Sequence, residues 1–493
     1  MKVVVIGAGV GGMAAACRLA RLGAQVEIFE KTDRSGGRLS NIVGQGFRID
    51  TGPTLLLMPS VLRKFFADVG RDMGNYLELL ELDPLYSVYF EDGSRISPSA
   101  DIGKMKGEIA RLSPGDASNY GKYLADYKDY YEKAMQDFIM KNFDSPLDMM
   151  TPAGIHALVS GGALRDLYSK TRDYFSDPRI RILFSLQSVY IGSAPNRLPS
   201  VYGLIPYLEF TQGGWYPKGG LYSLAEALAA ICQELGVKIR TSRPVRRIIV
   251  EDGIAAGVEL EGGTVVRADA VVANSDLPYT YASLIDEKDR RHMTNRRLGK
   301  LKRSSSAFMF YWGLEGKLDI PHHAFILPEN FMKTFGDVFD RNEMPEEPGM
   351  YVSNPCASDP ALAPEGKSIL YVLVPVPNLA ANIDWKEEGK VLRQKVMEKL
   401  GRLGVRDIEK RIVIERIVTP EDWKGGNIEL GAVFGLSPTL LQSAAFRPQN
   451  KDPRIGNLYF VGASTHPGSG LPIVLISAEL IEKRFVKDFS LGV

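Results

Sequence analysis

The chain has 493 residues, too many for one simple core, so two intertwined domains are the first expectation. Its 60 Lys+Arg and 59 Asp+Glu nearly cancel, which excludes a protein that lives by neutralising nucleic-acid phosphates. Three scattered cysteines without CxxC spacing and five histidines without ligand spacing exclude a disulfide scaffold and a zinc site, and fit a reducing cytoplasm. No run of eighteen uncharged apolar residues is present, so no spanning helix is expected and any membrane contact is peripheral.

Val3 to Ile6 is an apolar run that predicts a buried parallel strand. Gly7, Gly9 and Gly12 follow at GxGxxG spacing, a helix is expected over Ala14 to Leu22, and a second strand over Gln25 to Phe29. In such a unit Gly7 permits the tight turn, Gly9 lets the backbone approach a pyrophosphate, and Gly12 lets helix pack on strand. The helix N-terminus offers unpaired N–H groups to phosphate. Glu30, at the end of the second strand, can accept from ribose hydroxyls, and Lys31 stands beside it. Ser35-Gly36-Gly37-Arg38 comes next and resembles the GGR extension of glutathione-reductase-type FAD folds, which implies Gly37 near phosphate and Arg38 on the flavin side. Asp50-Thr51-Gly52-Pro53 falls where that class has its D-x-G-P stretch.

From about Val61 to Gly203 the pattern is mostly helical, apart from an extended section around Tyr86 to Ser97. Tyr120, Tyr123, Tyr127, Tyr130 and Tyr131 recur at helical spacing, either as core or as an aromatic face at a membrane or apolar entrance. A helix is expected over Gly219 to Leu235 and a strand over Val237 to Ile239. Val245 to Ala273 reads as a β-meander turning at Asp252-Gly253 and Gly262-Gly263, with Ala270 to Ala273 rejoining the first sheet. Phe308 to Leu314 and Ser368 to Val376 are strand-like and point to a second sheet. His322-His323, after Pro321, is placed in a loop.

The chain then reaches Leu458 to Val461, a further apolar run, and Gly462-Ala463-Ser464-Thr465-His466-Pro467-Gly468-Ser469-Gly470-Leu471-Pro472, leading into a helix over Ile473 to Lys483. Two glycine-rich strand-to-helix turns can grip both ends of one long dinucleotide, which indicates FAD. Gly462, Pro472 and Ile473 belong to this second grip, and the helix N-terminus can stabilise negative charge on a reduced flavin. His466 is the titratable group of the turn: a contact to flavin or substrate, or a structural histidine. Arg447 is open between phosphate binding, an acid partner and a helix cap.

These motifs together resemble the bacterial-type carotenoid desaturases, the phytoene and diapophytoene (dehydrosqualene) desaturase family, over essentially the whole chain. Tyr190-Ile191-Gly192, Lys218-Gly219-Gly220, Leu362-Ala363-Pro364-Glu365-Gly366, Phe434-Gly435-Leu436, Gln442-Ser443, Phe446-Arg447-Pro448 and the THPGSGLP turn carry the resemblance. It implies an α/β, two-dinucleotide-binding-domain flavoprotein with a Rossmann-like FAD domain (1–80, 211–290 and 445–493). An inserted α+β substrate domain would take 81–210 and 291–444, with a helical membrane-contact region about 105–200. It implies that Val245 meets the adenine through its backbone and that hydride passes from a linear C30 or C40 isoprenoid to flavin. A membrane surface on the inner face of the cell membrane, and quinone or oxygen as electron acceptor, complete the expectation. Ser464 resembles the diapophytoene version of the turn and tilts the substrate toward C30. Ala463 stands where most flavoproteins of this fold have an acid, which weakens an amine-oxidase reading. Asp148 occupies an acidic position that relatives carry, and is either catalytic or a helix-start residue after Pro146. A retinol-saturase-like enzyme and a non-enzymatic prenyl-lipid carrier on the same fold, as in Rab-GDP-dissociation inhibitors, remain as alternatives.

Overall fold

The computed structural model describes residues 1–151, 162 and 165–491, so the stretch about 105–200 lies partly outside the described residues. Strands Lys2–Ile6, Gln25–Phe29, Lys238–Arg240, Ala270–Ala273 and Leu458–Phe460 form one parallel sheet. Its order from one edge is Leu458–Phe460, Ala270–Ala273, Lys2–Ile6, Gln25–Phe29, Lys238–Arg240. The three middle strands are almost continuously apolar because helices or the meander cover both faces. Helix Val10–Arg21 packs between helices Ser223–Glu234 and Leu471–Asp488 on one face, and the meander (Val245–Glu251, Ile254–Leu260, Val265–Arg267) covers the other.

Helix Val10–Arg21 begins four residues earlier than the sequence pattern suggests. Gly9, extended at φ −73° and ψ 172°, is its N-cap, so Gly11 and Gly12 belong to the first turn rather than to the loop. A helix that presents its N–H groups to a ligand must start at the glycine turn itself. Arg18 on this helix is buried and reaches Asp68 (2.7 Å) and Glu482 (2.6 Å), tying the opening helix to Pro59–Asp68 and to the last helix. Cys17 and Cys232, far apart in sequence, sit on neighbouring helices with their Sγ atoms 3.4 Å apart, both buried and reduced.

A second sheet of seven strands runs in the order Ile412–Val418, Ser306–Glu315, Lys367–Val376, Met350–Ser353, His323–Ile326, Ser87–Tyr89, Arg95–Ile96. All pairs are antiparallel except His323–Ile326 with Ser87–Tyr89. His323 therefore opens a strand; the loop expected there stops at His322.

The tyrosine stripe of helix Pro114–Ala134 faces inward. Tyr120, Tyr123, Tyr127 and Tyr130 are buried against Tyr174, Phe175 and Phe184, and Tyr131 alone is partly open. The Tyr123 hydroxyl donates to the Gly203 carbonyl at 2.9 Å. An aromatic ring that buries roughly 150–250 Å² contributes most when enclosed, as Tyr120, Tyr123 and Tyr127 are, while Tyr130 also borders the internal cavity. The stripe is core, and the reading of it as a membrane face is corrected.

Candidate functional site: a cofactor cradle joined to an apolar cavity

The first, second, fourth and last strands of the chain's parallel sheet end at Ile6, Phe29, Ala273 and Phe460, and the residues that follow all open on one cavity of about 1700 Å³. This is the carboxyl edge of the sheet, where open α/β folds bind ligands. One limb of the cavity runs from Glu30 and Lys31 past Gly7, Gly9 and Gly11 to Gly462 and Ile473.

The cradle is stitched by backbone. Gly36 N–H donates to the Ala8 carbonyl at 2.8 Å, and Gly37, at φ +63°, backs onto Gly9. A Cβ at Gly12 would lie 2.2 Å from the Gly7 carbonyl oxygen, so glycine is required there. Glu30 is buried and accepts from Ala8 N–H (2.8 Å), Thr32 N–H (2.9 Å) and the Thr32 hydroxyl (2.8 Å), which orients the carboxylate in the cavity wall. Arg38 donates to the Val433 carbonyl at 2.9 Å and lies 3.9 Å from Asp276. Val245 lines the same limb at the start of the meander.

The closing turn meets the opening turn through Asn274, a residue outside every motif singled out in the sequence. Asn274 Nδ2 donates to the Val461 carbonyl at 3.0 Å, and a Cβ on Gly9 would lie 2.7 Å from Asn274 Oδ1. Sequence reasoning also misses Asp276. It accepts from the Ser464 hydroxyl at 2.8 Å and from Glu429 N–H at 3.3 Å, joining three segments beside Arg38. The available signal was position: Asn274-Ser275-Asp276 leaves the carboxyl end of a buried parallel strand, where polar residues face the ligand crevice.

Arg447, left open between three roles by the sequence, turns its guanidinium onto backbone. It is buried and donates to four backbone carbonyls, Thr465 (3.1 Å), Gln442 (3.0 Å), Leu436 (3.3 Å) and Ala463 (2.5 Å). It clamps the closing turn to the segment 436–442. Burial lowers its pKa, but a guanidinium stays charged.

His466 is 1 % exposed; its Nε2–H donates to the Lys141 carbonyl at 3.0 Å, and its ring meets Phe143 edge-on. Burial pushes its pKa down to about 4, with the Lys141 carbonyl acting in the other direction. The imidazole is therefore neutral at neutral pH, and Nδ1 has no hydrogen-bond partner among the described residues. Asp148 is a correction. Its carboxylate accepts from Asp144 N–H (2.8 Å) and Ser145 N–H (2.9 Å) in a capping box on the short helix Pro146–Met149, and these bonds hold its pKa down. It is absent from the cavity wall, so it shapes the turn and is no candidate catalyst.

The second limb of the cavity is apolar, lined by Tyr130, Phe138, Met149, Leu186, Phe325 and Phe335 among others. An acid stands in this wall. Glu209 is fully buried and accepts from Tyr86 O–H (2.9 Å), Gln187 Nε2–H (2.7 Å) and Tyr190 O–H. Burial raises its pKa, and these three donors oppose the rise. Nothing in the sequence points to it, because it reads as a lone acid on a short apolar helix, Leu204–Gln212.

The residues fit FAD. Both helices that point into the first limb, Val10–Arg21 and Leu471–Asp488, start at glycine N-caps, Gly9 and Gly470, without a side-chain cap, leaving their N–H groups for a ligand. Pro472 lies in the first turn of the closing helix, where its missing N–H costs nothing.

The profile of the flavin containing amine oxidoreductases matches residues 10–480. The zeta-carotene-forming phytoene desaturase of Myxococcus xanthus is 42 % identical over 488 residues, covering 98 % of this chain and 94 % of the relative. The 4,4'-diapophytoene desaturase (4,4'-diaponeurosporene-forming) of Staphylococcus aureus (strain Newman) is 34 % identical, covering 100 % of both chains. An oxidoreductase from Methanosarcina mazei shares the fold, with a TM-score of 0.67 at 19 % identity over 98 % of this chain and 100 % of that one. The cradle, the apolar limb and these likenesses agree: the chain belongs to the flavin containing amine oxidoreductase family, in its carotenoid desaturase branch, and its cofactor is FAD.

Proposed function

We propose that the protein introduces conjugated double bonds into a linear, colourless isoprenoid. The observation that carries this reading is the joining of the cofactor cradle to a long apolar limb in one cavity. A hydrocarbon has no polar handle, so the chain must orient it by shape alone. FAD, when bound, supplies a two-electron acceptor for hydride. The chain's own residues do the rest. Gly7, Gly9 and Gly37 would admit close approach of the dinucleotide, and Glu30 would accept from its ribose hydroxyls. The closing helix, whose first-turn residues Pro472 and Ile473 line the cavity, would present its positive end to the flavin. Arg447 fixes that turn. Neutral His466 is our candidate for a direct contact, with an Nδ1 lone pair to accept a hydrogen bond or a proton.

The substrate we favour is C40 phytoene, because the Myxococcus xanthus relative is named for that conversion and is 42 % identical. Ser464, which tilts the sequence reading toward C30, bonds Asp276 and so reports on the Arg38 neighbourhood rather than on chain length. An apolar wall discriminates weakly, about 1–3 kcal/mol per methylene, so diapophytoene should also be accepted. Among the described residues no helix is long and apolar enough to cross a membrane. We propose peripheral attachment to the inner face of the cell membrane, with a quinone or dioxygen taking the electrons. Expression in hosts making phytoene or diapophytoene tests the reading. Coloured polyenes from phytoene are expected, with a smaller yield from diapophytoene; no pigment in either host refutes desaturation.

A further inference from the structure

A hydrocarbon needs no polar group to hold it, yet Thr54, Tyr351 and His323 all stand in the cavity wall. Thr54 comes just after Gly52, which presses on the stretch after the second strand: a Cβ on Gly52 would lie 2.2 Å from the Arg38 carbonyl oxygen. The Tyr311 and Tyr371 hydroxyls pin this segment by donating to the Thr51 (2.8 Å) and Gly52 (3.1 Å) carbonyls. On the other side the Tyr351 ring meets Phe325 of the apolar limb, with centroids 5.1 Å apart. The polar groups therefore sit where the two limbs join.

Tyr351 Oη is 2.5 Å from Thr54 Oγ1 and 2.7 Å from His323 Nδ1. Strand pairing sets this geometry. Tyr351 lies opposite Phe325 in the antiparallel pair of Met350–Ser353 with His323–Ile326, so His323 is its diagonal neighbour on the same face. His322 is absent from the cavity wall, and its Nδ1 is 2.8 Å from the Oγ of Ser358, which is partly open to solvent. The two imidazoles have centroids 4.2 Å apart. Both are buried, and in each the Nε2 has no hydrogen-bond partner among the described residues. Buried polar atoms without partners call for a reason. One placement of hydrogens runs through the whole chain. Tyr351 spends its single hydrogen on His323 Nδ1 and accepts from Thr54, which leaves the His323 hydrogen on Nε2. His322 donates from Nδ1 to Ser358, which leaves a lone pair on its Nε2. The two unpartnered nitrogens are then a donor and an acceptor on neighbouring rings.

We propose that Thr54, Tyr351, His323, His322 and Ser358 form the exit path for the proton that each desaturation releases inside the cavity. The inference deepens the desaturase reading and rests on it. Hydride leaves one substrate carbon with its electron pair for FAD, the oxidant. The C–H bond on the adjacent carbon then breaks, and its electron pair becomes the new double bond. That proton passes to Thr54 Oγ1 as the Thr54 hydrogen moves to Tyr351 and the Tyr351 hydrogen to His323 Nδ1. His323 hands its Nε2 hydrogen to His322, and the Nδ1 hydrogen of His322 leaves by Ser358 to solvent. Turning of the hydroxyls and rings resets the chain. Burial pushes the His322 pKa down to about 3, and burial followed by the neighbouring His322 pushes His323 well below the usual imidazole range. Weak bases suffice, because a C–H beside a carbon that has lost hydride is a strong acid. The carboxylate behind this wall, Asp50, is outside the cavity and accepts from Tyr216 O–H (3.0 Å), Leu221 N–H (2.6 Å) and Tyr222 N–H (3.1 Å) instead.

Anaerobic single-turnover bleaching of the flavin-loaded full chain, with detergent-dispersed phytoene in water and in deuterium oxide, tests the path. The unaltered protein should bleach more slowly in deuterium oxide, with a curved dependence on deuterium fraction, because several exchangeable hydrogens move together. Tyr351→Phe and Thr54→Val should each slow bleaching about a hundredfold, abolish the solvent effect and keep their flavin, and Thr54→Ser should restore rate and solvent effect together. His322→Asn should spare the first turnover and slow each later one. Nitrogen NMR of the protein with isotope-labelled histidine reads the tautomers without substrate: His323 should carry its hydrogen on Nε2 and His322 on Nδ1. A solvent effect that survives in Thr54→Val, or that His466→Gln abolishes while Thr54→Val does not, overturns the path, as do the opposite tautomers. An unaltered protein that never bleaches with phytoene sinks the desaturase reading, and the tautomers then still decide whether the chain is ordered to carry a proton.

Discussion

The two limbs of the cavity are specified by different means. In the cofactor limb the backbone sets the shape: Gly12 cannot carry a Cβ, Gly36 and Gly37 need positive φ, and the helices that start at Gly9 and Gly470 have no side-chain cap on their first N–H groups. In the apolar limb, side chains from segments around 57, 130, 190, 208 and 325 share the wall, and no single one fixes it. A site built from backbone tolerates almost no change at a few positions. A site built from many side chains tolerates modest change at all of them.

The largest expected effect follows from that difference. Gly12→Ala forces a Cβ to within 2.2 Å of a carbonyl oxygen, so the opening turn must move. The purified variant should be colourless, with flavin absorbance and activity both lost; retained yellow protein would break the comparison. Arg447→Ala comes next. Four carbonyls lose a charged donor, which should cost about 3 kcal/mol or more in stability and release flavin. Calorimetry and flavin release on dilution measure it.

The limbs should also answer pH with opposite sign. His466 has its folded pKa lowered to about 4, below the unfolded value of 6.5. The unfolded chain binds the proton first, so this stability is present above pH 6.5 and is lost as pH falls toward 4, by up to about 3 kcal/mol. His466→Gln should flatten that part of the urea-unfolding profile. Glu209 in the apolar limb has its pKa raised, so the folded state holds the proton more tightly. Its contribution is full at low pH and falls as pH rises above the usual carboxylate range, and Glu209→Gln should remove that decline. Like slopes from the two variants would contradict the assignment. The smallest effect is expected from Val189→Ala, which shaves an apolar wall shared by many residues. It should change kcat/KM for phytoene a fewfold, as about 1 kcal/mol implies, and leave flavin content intact.

The same division explains what can be read from the sequence. Glycines that a backbone requires are visible as letters at fixed spacing, so the opening turn, Gly37 and Gly462 are legible as parts of the cradle wall from the sequence alone. A helix start at Ala14 is too late because Gly11 and Gly12 look like loop, although glycines in a first turn leave helix Val10–Arg21 intact. Asn274, Asp276 and Glu209 escape notice because their roles depend on partners far away in sequence, such as Ser464 and Tyr86. Asp148 invites over-reading: an acid three residues after Ser145 is a capping box before it is a catalyst. Arg447 shows the limit, since no local pattern announces a guanidinium that holds four carbonyls.

The edge strand Leu458–Phe460 pairs with Ala270–Ala273 and brings in the second half of the cradle. On the ribosome, this means that 450 positions separate Gly12 from Gly462. At about 5–20 residues per second the opening turn waits roughly 20–90 s for its partner. From the synthesis of Ala273 to that of Leu458, roughly 9–37 s of that wait, the apolar edge Ala270–Ala273 has no neighbour on one side and is open to strand pairing with another chain unless a chaperone covers it. Flavin capture therefore belongs to the end of synthesis: nascent chains stalled before Leu458 should pull down chaperone and no flavin, and released full-length chains the reverse.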